Sequence, residues 1–317
     1  MHPSPSLAPV AFVLGAGLGT RLRPLTEERP KPLIPVANKP LITYAFDRLI
    51  DIGIRAFVVN THHAPEAFWS AFPDGRYRGR EIQFRHEPLL LDTAGGVRNV
   101  ADLFGNQPFL IHNGDVLTDL PIDRAVERHL AGGDLATLVL RSNGPALHVA
   151  FDPESGRVID IRNRLGTNQM RQFLYTGIAV LSPGILSWIP KEGPVSLISV
   201  FLEILQSCGR IGGILLDEGI WFDLGTRQSY LAVHRHLWAE PGSFRSIRWV
   251  DPTARIEPGA VLEGATAIGA RCWIGAGALL KNSIVWEGAE VAAQSRLENC
   301  IVRNSRLAKG NLADSDI

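Results

Sequence analysis

From Val250 onward a large apolar residue returns at every sixth position: Val250, Ile256, Leu262, Ile268, Ile274, Leu280 and Trp286. Small residues keep step with them, Ala260, Thr266, Cys272 and Ala278 each standing four positions behind a neighbour of the series. A period this regular signals a stacked repeat, in which each short unit buries its apolar residue against the units before and after it. The phase slips after Trp286, where Val291 and Leu297 continue one residue early.

Hexapeptide repeats of this kind resemble those of the left-handed parallel β-helix, in which three repeats complete one triangular turn. Gly259, Gly264, Gly269, Gly275 and Gly277 suit its corners. The period predicts about three turns. Some proteins with such a tail are acetyltransferases that use a histidine base, but the last histidine here, His236, precedes the repeat. A structural or assembly role follows, with partner copies covering the unpaired end coils and a homo-oligomer formed through this domain.

The first 240 residues read differently. Val10 to Leu14 is a short apolar run suited to a buried parallel strand, and Gly15, Gly17 and Gly19 then allow a tight turn whose backbone N–H groups can approach a ligand closely. Arg21 and Lys31, the latter between Pro30 and Pro32, add positive charge where phosphates would lie. Thr20 stands in the third glycine slot of a dinucleotide fingerprint, which disfavours a nicotinamide dehydrogenase, and the lysine of a Walker A loop is missing. Up to about residue 140 strand-like runs alternate with helix-like ones, the pattern of a parallel sheet covered on both faces. Strands are expected at Ile54–Val59, Glu81–Phe84 and Pro108–Ile111, each followed by polar residues: Asn60-Thr-His-His63, His86-Glu87 and His112-Asn-Gly-Asp115. Ligands of open parallel sheets bind at that edge. Further strands are expected at Leu147–Phe151, Val158–Ile161 and Tyr175–Leu181, and helices at Ser196–Cys208 and Thr226–Trp238. The expected division is 1–240 for this domain, 241–249 for a linker marked by Pro241-Gly-Ser243, and 250–317 for the repeat.

Composition sets the remaining bounds. Lys and Arg total 32 against 32 Asp and Glu, so the chain as a whole lacks the footprint of a nucleic-acid binder. Cys208, Cys272 and Cys300 show no metal-ligand spacing and read as reduced thiols. Met1-His-Pro-Ser-Pro-Ser6 lacks the features of a signal peptide, and no stretch approaches the ~20 apolar residues of a membrane span, so a cytoplasmic protein without membrane contact is expected.

Taken together, Leu14-Gly-Ala-Gly-Leu-Gly-Thr-Arg-Leu-Arg-Pro-Leu-Thr26 and Pro30-Lys-Pro-Leu33 resemble the signature of the sugar-1-phosphate nucleotidyltransferases. Thr93-Ala-Gly-Gly96, Asn113-Gly-Asp115, Thr176-Gly-Ile178 and Trp221-Phe-Asp-Leu-Gly-Thr226 follow in the family's order, so the resemblance spans residues 10 to about 235. Within the family it points to the N-acetylmuramate-1-phosphate uridylyltransferases, which share the T-A-G-G style of loop, and to the mannose-1-phosphate guanylyltransferases, which often carry a β-helix tail. The implied fold is α/β: a Rossmann-like nucleotidyltransferase domain with a mostly parallel sheet, followed by the left-handed parallel β-helix.

The implied reaction joins an NTP to a sugar-1-phosphate with release of pyrophosphate and depends on Mg²⁺. UTP with an amino-sugar or hexose 1-phosphate is the first expectation, GTP with mannose-1-phosphate the second. A non-catalytic subunit that senses a nucleotide sugar is the alternative of another class. By resemblance, Arg21 and Lys31 are the catalytic cations. Leu14, Gly15, Ala16, Gly17, Gly19, Thr20, Thr93, Ala94, Gly95, Gly96 and Asn113 bind the nucleotide, Tyr175 and Gly177 face the sugar, and Asp115 and Asp223 hold the metal. Many relatives place a Glu-Lys pair on the sugar-side loop, where this chain reads Ile161-Arg-Asn-Arg164, leaving Arg162 or Arg164 to replace the lysine.

Overall fold

A computed structural model describes residues 7–240, 244 and 247–317. Met1–Ser6 and, within the expected linker, Pro241–Ser243, Arg245 and Ser246 lie outside the described residues. The chain packs as two units, one holding the residues up to Gly17 together with Tyr44–Trp221, the other Leu18–Thr43 together with Phe222–Ile317.

In the first unit, ten strands form one sheet: β1 Val10–Leu14, β2 Ala56–Thr61, β3 Arg76–Tyr77, β4 Arg80–His86, β5 Phe109–Asn113, β6 Ala136–Arg141, β7 Val149–Asp152, β8 Arg157–Ile161, β9 Gln172–Leu181 and β10 Ile211–Leu215. Their order across the sheet is β7-β8-β10-β6-β9-β5-β1-β2-β4-β3. The half around the glycine loop is parallel, with β1 between β2 and β5 and β4 beyond β2. Leu14 pairs with Asn113 and Thr61 with His86, so the C-terminal ends of these four strands share one edge. Beyond β5 the sheet is mixed, because β9 runs antiparallel to both β5 and β6.

Helices α1 Ile42–Asp51, α2 Pro65–Ala71, α3 Asp92–Asn99, α4 Ile122–Gly132 and α5 Leu197–Gln206 connect the strands. Their ends follow local chemistry. Gly53 (φ 94°) ends the turn after α1, Gly133 (φ 65°) caps α4, and the Ser196 side chain accepts from the Ile198 N–H at the start of α5. One core runs from Phe12, Val58 and Ile111 through Leu138 and Ala179 to Val200 and Phe201.

The second unit combines the segment from Leu18 to Thr43, helix α6 Arg227–Ala239 and the repeat. Eleven short strands of the repeat form three parallel sheets of four, four and three strands, a β-helix of between three and four coils. Ile268, Ile274, Leu280, Val285, Val291, Leu297, Val302 and Ala308 fill its interior. The phase slip falls earlier than the sequence period suggests, since Ile268 stacks on Val285 and not on Trp286. The corner sets it: Gly264, Ala265 and Thr266 separate two strands in the first coil, whereas only Asn282 and Ser283 do so in the next. Asn282 takes the left-handed conformation there (φ 48°), and its carboxamide accepts from the Ala265 N–H of the coil before.

Candidate active site

In the first unit, the glycine loop begins at the end of β1 as a close-packed object. The Gly15 N–H donates to Asn60 Oδ1 at 2.8 Å, and a Cβ on Gly15 would stand 2.7 Å from the Asn60 carbonyl oxygen and 2.8 Å from Val59 Cγ1. Glycine is needed at this position for close approach. Asn60 in turn donates from Nδ2 to Glu87 Oε1 at 2.8 Å, and Glu87 Oε2 accepts from the Leu91 N–H at 3.1 Å. Both side chains are buried, so each polar atom removed from water is met by a partner. His62 contributes Nδ1 at 2.7 Å from the Glu87 carbonyl oxygen. Ala16 is buried, while Gly17 is exposed with nothing within 4 Å of a Cβ position. Leu14 accepts from the Gly114 N–H at 2.9 Å, which fixes the Asn113–Asp115 turn against the same strand end.

Thr93 to Gly96 form the first turns of α3 and are largely engaged within the protein. Thr93 Oγ1 accepts from the Leu197 N–H at 2.8 Å, so it supports the start of α5 and does not cap its own helix. The Ala94 and Gly95 N–H groups both donate to the Val195 carbonyl, at 2.8 and 3.1 Å. A Cβ on Gly96 would meet Asn60 Nδ2 at 3.1 Å and Glu87 Oε1 at 3.2 Å, which ties this motif to the carboxamide–carboxylate pair beneath Gly15.

On the antiparallel side, the β6–β9 register shifts between Tyr175 and Ala179, and Gly177 takes φ 79° inside the bulge. A Cβ there would lie 2.4 Å from Asn113 Nδ2, so the Asn113 carboxamide rests against the Gly177 backbone. The Trp221 indole N–H donates to the Thr176 carbonyl at 2.9 Å and fixes the bulge from behind. Tyr175 is half-buried against the core, and burial pushes its hydroxyl pKa far up. His112 is fully buried with Nδ1 2.8 Å from the Asn113 carbonyl oxygen, and burial lowers its pKa to about 4, so it stands neutral.

In the second unit, two cations and a carboxylate converge. Lys31, almost fully buried, donates to Asp223 Oδ1 at 3.1 Å, and Arg21 Nη2 lies 3.9 Å from Asp223 Oδ2. Gly19 (φ 62°) starts the turn that carries Thr20 and Arg21, and its carbonyl accepts from Thr26 Oγ1 at 2.8 Å. A Cβ on Gly225 would stand 3.0 Å from Arg21 Nη2, so the guanidinium lies over the glycine of the Trp221–Thr226 motif. Thr226 then caps α6, its hydroxyl accepting from the Ser229 N–H while the Ser229 hydroxyl accepts from the Thr226 N–H.

Among the described residues no three His, Cys, Asp or Glu side chains converge as a ready-made metal cage. Asp115 in the first unit and Asp223 in the second are each hard oxygen donors of the kind that bind Mg²⁺, an ion whose shell substrate phosphates and water commonly complete. No helix among the described residues is long and apolar enough to cross a membrane.

Asn60 and Glu87 are the residues that sequence reasoning left without a role. Their only signal was position, as polar residues at the carboxyl ends of β2 and β4.

The chain matches known protein families over most of its length. The family profile described as nucleotidyl transferase matches residues 10–240, and the profile described as GMPPB C-terminal domain matches residues 246–311. The chain is 30% identical to a mannose-1-phosphate guanylyltransferase of Mycobacterium tuberculosis, over 91% of this chain and 82% of that protein. It is 34% identical to an N-acetylmuramate alpha-1-phosphate uridylyltransferase of Neisseria meningitidis serogroup B, over 68% of this chain and 93% of that protein. A UTP--glucose-1-phosphate uridylyltransferase of Synechocystis is 25% identical over 92% of this chain and 86% of that protein. With its glycine loop, paired cations and N-G-D and W-F-D-L-G-T motifs inside a profile match that covers most of its length, this chain belongs to the nucleotidyl transferase family of enzymes.

Proposed function

We propose that the protein transfers a nucleotidyl group from an NTP to a sugar-1-phosphate. An oxygen of the sugar phosphate attacks the α-phosphorus, the bond between the α-phosphorus and its bridging oxygen to the β-phosphate breaks, and pyrophosphate leaves. The observation that carries this reading is the Lys31–Asp223–Arg21 group, two cations held on one carboxylate within the family's signature.

Such a transfer needs no covalent nucleophile, because positioning and charge neutralisation supply most of the rate. Arg21 offers a planar fork suited to the β- and γ-phosphates, and Lys31 a compact charge for the phosphates at the reacting centre. We assign the loop Ala16, Gly17, Gly19 and Thr20 to the triphosphate. Leu14, Gly15 and Thr93–Gly96 are assigned to the nucleoside, Asn113 to the nucleotide, and Tyr175 and Gly177 to the sugar. A divalent cation, which we take to be Mg²⁺ on Asp115 and Asp223, would screen the phosphate charge when bound.

UTP with an amino-sugar or hexose 1-phosphate is the first substrate pair, supported by the 34% identity with the uridylyltransferase relative. GTP with mannose-1-phosphate is the second, favoured by the match of the tail to the GMPPB C-terminal domain. A panel of NTPs crossed with sugar-1-phosphates, followed by pyrophosphate release, separates them, and turnover of no pair would overturn the reading. Asp115→Asn and Asp223→Asn are each expected to lower turnover at least about 100-fold while circular dichroism and the melting temperature hold. Turnover within two-fold of the parent would remove that carboxylate from the metal site.

A further inference from the structure

The segment that carries Lys31 is fastened to the β-helix by a chain of buried polar contacts. The Tyr230 hydroxyl on α6 donates to the Pro35 carbonyl, four residues beyond Lys31, and accepts from the Trp286 indole N–H at 3.0 Å. Tyr230 and Trp286 are both buried, and burial raises the tyrosine pKa so far that the hydroxyl stays a donor throughout the working pH range. Tyr230 also sits one turn into the helix whose cap, Thr226, follows Asp223 by three residues, and its N–H donates to the Thr226 carbonyl. One hydroxyl thus joins the Lys31 segment to the helix behind Asp223, and the β-helix donates to its oxygen through the Trp286 indole.

Further contacts converge on the same stretch. The Arg29 guanidinium lies 5.7 Å from the Trp286 ring centroid. Arg303, mostly buried, donates to the Pro24 carbonyl at 3.4 Å and stands 3.7 Å from Glu27 and 3.6 Å from Glu28. Ala37 donates its N–H to His234 Nε2 at 3.1 Å, and Asn38 donates to the Ile268 carbonyl at 2.7 Å. The residues from Pro24 to Asn38 are thereby held on both sides of Lys31.

We propose that Trp286, acting through Tyr230, is a positioning residue for nucleotidyl transfer: the β-helix sets the placement of Lys31 on Asp223. This rests on the reading of Lys31 as a phosphate ligand given above. A lysine ammonium on a flexible stem needs its backbone fixed if it is to meet a phosphate at one distance, and a shift of about 1 Å in a positioning group is enough to cost on the order of 100-fold in rate.

The test compares Trp286→Phe and Tyr230→Phe, which delete the N–H and the hydroxyl, with Trp273→Phe, which alters another indole of the β-helix whose N–H donates to Glu257. Trp286→Phe and Tyr230→Phe are each expected to lower kcat/KM for the NTP about ten-fold, leave KM for the sugar-1-phosphate within two-fold, and do so below any change in melting temperature, while Trp273→Phe matches the parent. The decisive readout is a double-mutant cycle on NTP affinity by calorimetry, without sugar phosphate. If Trp286 works through Lys31, Trp286→Phe changes affinity less than about two-fold in the Lys31→Ala background, although it lowers affinity in the parent. Multiplicative losses, or parental NTP affinity in both Trp286→Phe and Tyr230→Phe, would overturn the proposal. Because the cycle reads binding alone, it stands even if the substrate panel finds no turnover, an outcome that would instead sink the transfer reaction.

Discussion

Gly225 illustrates how one atom can decide the use of a charge. Arg21 lies over it with Nη2 only 3.0 Å from where a Cβ would be, and Gly225 needs no left-handed backbone conformation that alanine would strain. Gly225→Ala is therefore expected to fold normally and to push the guanidinium a few tenths of an ångström from its place beside Asp223. The expected result is a fall of about three- to ten-fold in kcat/KM for the NTP with the melting temperature within two degrees of the parent. Parental kinetics would show that the arginine finds its phosphate from either position. Gly15 is the opposite case. Its missing Cβ faces the Asn60 carbonyl and Val59, which cannot swing aside, so Gly15→Ala is expected to cost about 1–3 kcal/mol in urea denaturation, as overpacking does elsewhere. An unchanged denaturation midpoint would mean that β2 yields.

At the scale of elements, the strand ends are held together by Asn60 and Glu87. Glutamine at position 87 keeps the shape but replaces one acceptor oxygen with a donor, which then faces either the Asn60 Nδ2 or the Leu91 N–H. Because the pair is buried, Glu87→Gln is expected to lose about 1–3 kcal/mol, read from the urea midpoint, and a loss below 0.5 kcal/mol would mean that the network rearranges. This network also marks where the sequence stopped being legible. Period and turn residues carry β1, α5, α6 and the repeat, because apolar alternation and glycine stops are local signals; β2, β4 and β5 are legible as strands, but each runs two residues past its apolar run, to Thr61, His86 and Asn113, where pairing with the neighbouring strand extends it over polar residues. The Trp221–Thr226 motif likewise marks Asp223 and the cap of α6, since both are written within six residues. That Glu87 would pair with Asn60, or that Thr93 would support α5 across a sequence gap of 104 residues, depends on contacts made only after the chain folds. The slip in the repeat falls between these cases: the period was visible, but a corner shortened by one residue moved its place from Trp286 to Val285.

For the whole molecule, burial of histidines links stability to pH. His112 and His129 in the first unit and His234 in the second each have a pKa lowered to about 4, with burial the largest cause. The contacts of His234 require the neutral ring. Ala37 N–H donates to Nε2, so the proton sits on Nδ1, 2.8 Å from the Tyr230 carbonyl oxygen, while Trp249 and Tyr230 pack against the ring edge-on. In the unfolded chain these imidazoles titrate near the ordinary 6.5. Between pH 6.5 and about 4 the unfolded state therefore binds protons that the folded state refuses, and stability must fall as pH falls through that window. Three such groups give a limiting slope of about 4 kcal/mol per pH unit, fully developed only where the unfolded imidazoles are charged and the folded ones are not. The carboxylates with lowered pKa, Asp152, Asp251 and Glu257, act in the same direction but below the usual carboxylate range, so they do not account for a loss that begins near pH 6.5. Thermal melts from pH 7.5 to 5 should be flat above pH 7 and then decline steeply. His234→Gln, whose side-chain oxygen can still accept from Ala37, should remove about a third of that slope. A melting temperature independent of pH from 7.5 to 5 would mean that the three rings take up protons in the folded state, and the Ala37–His234–Tyr230 contacts would then have to open without unfolding the unit that carries Lys31.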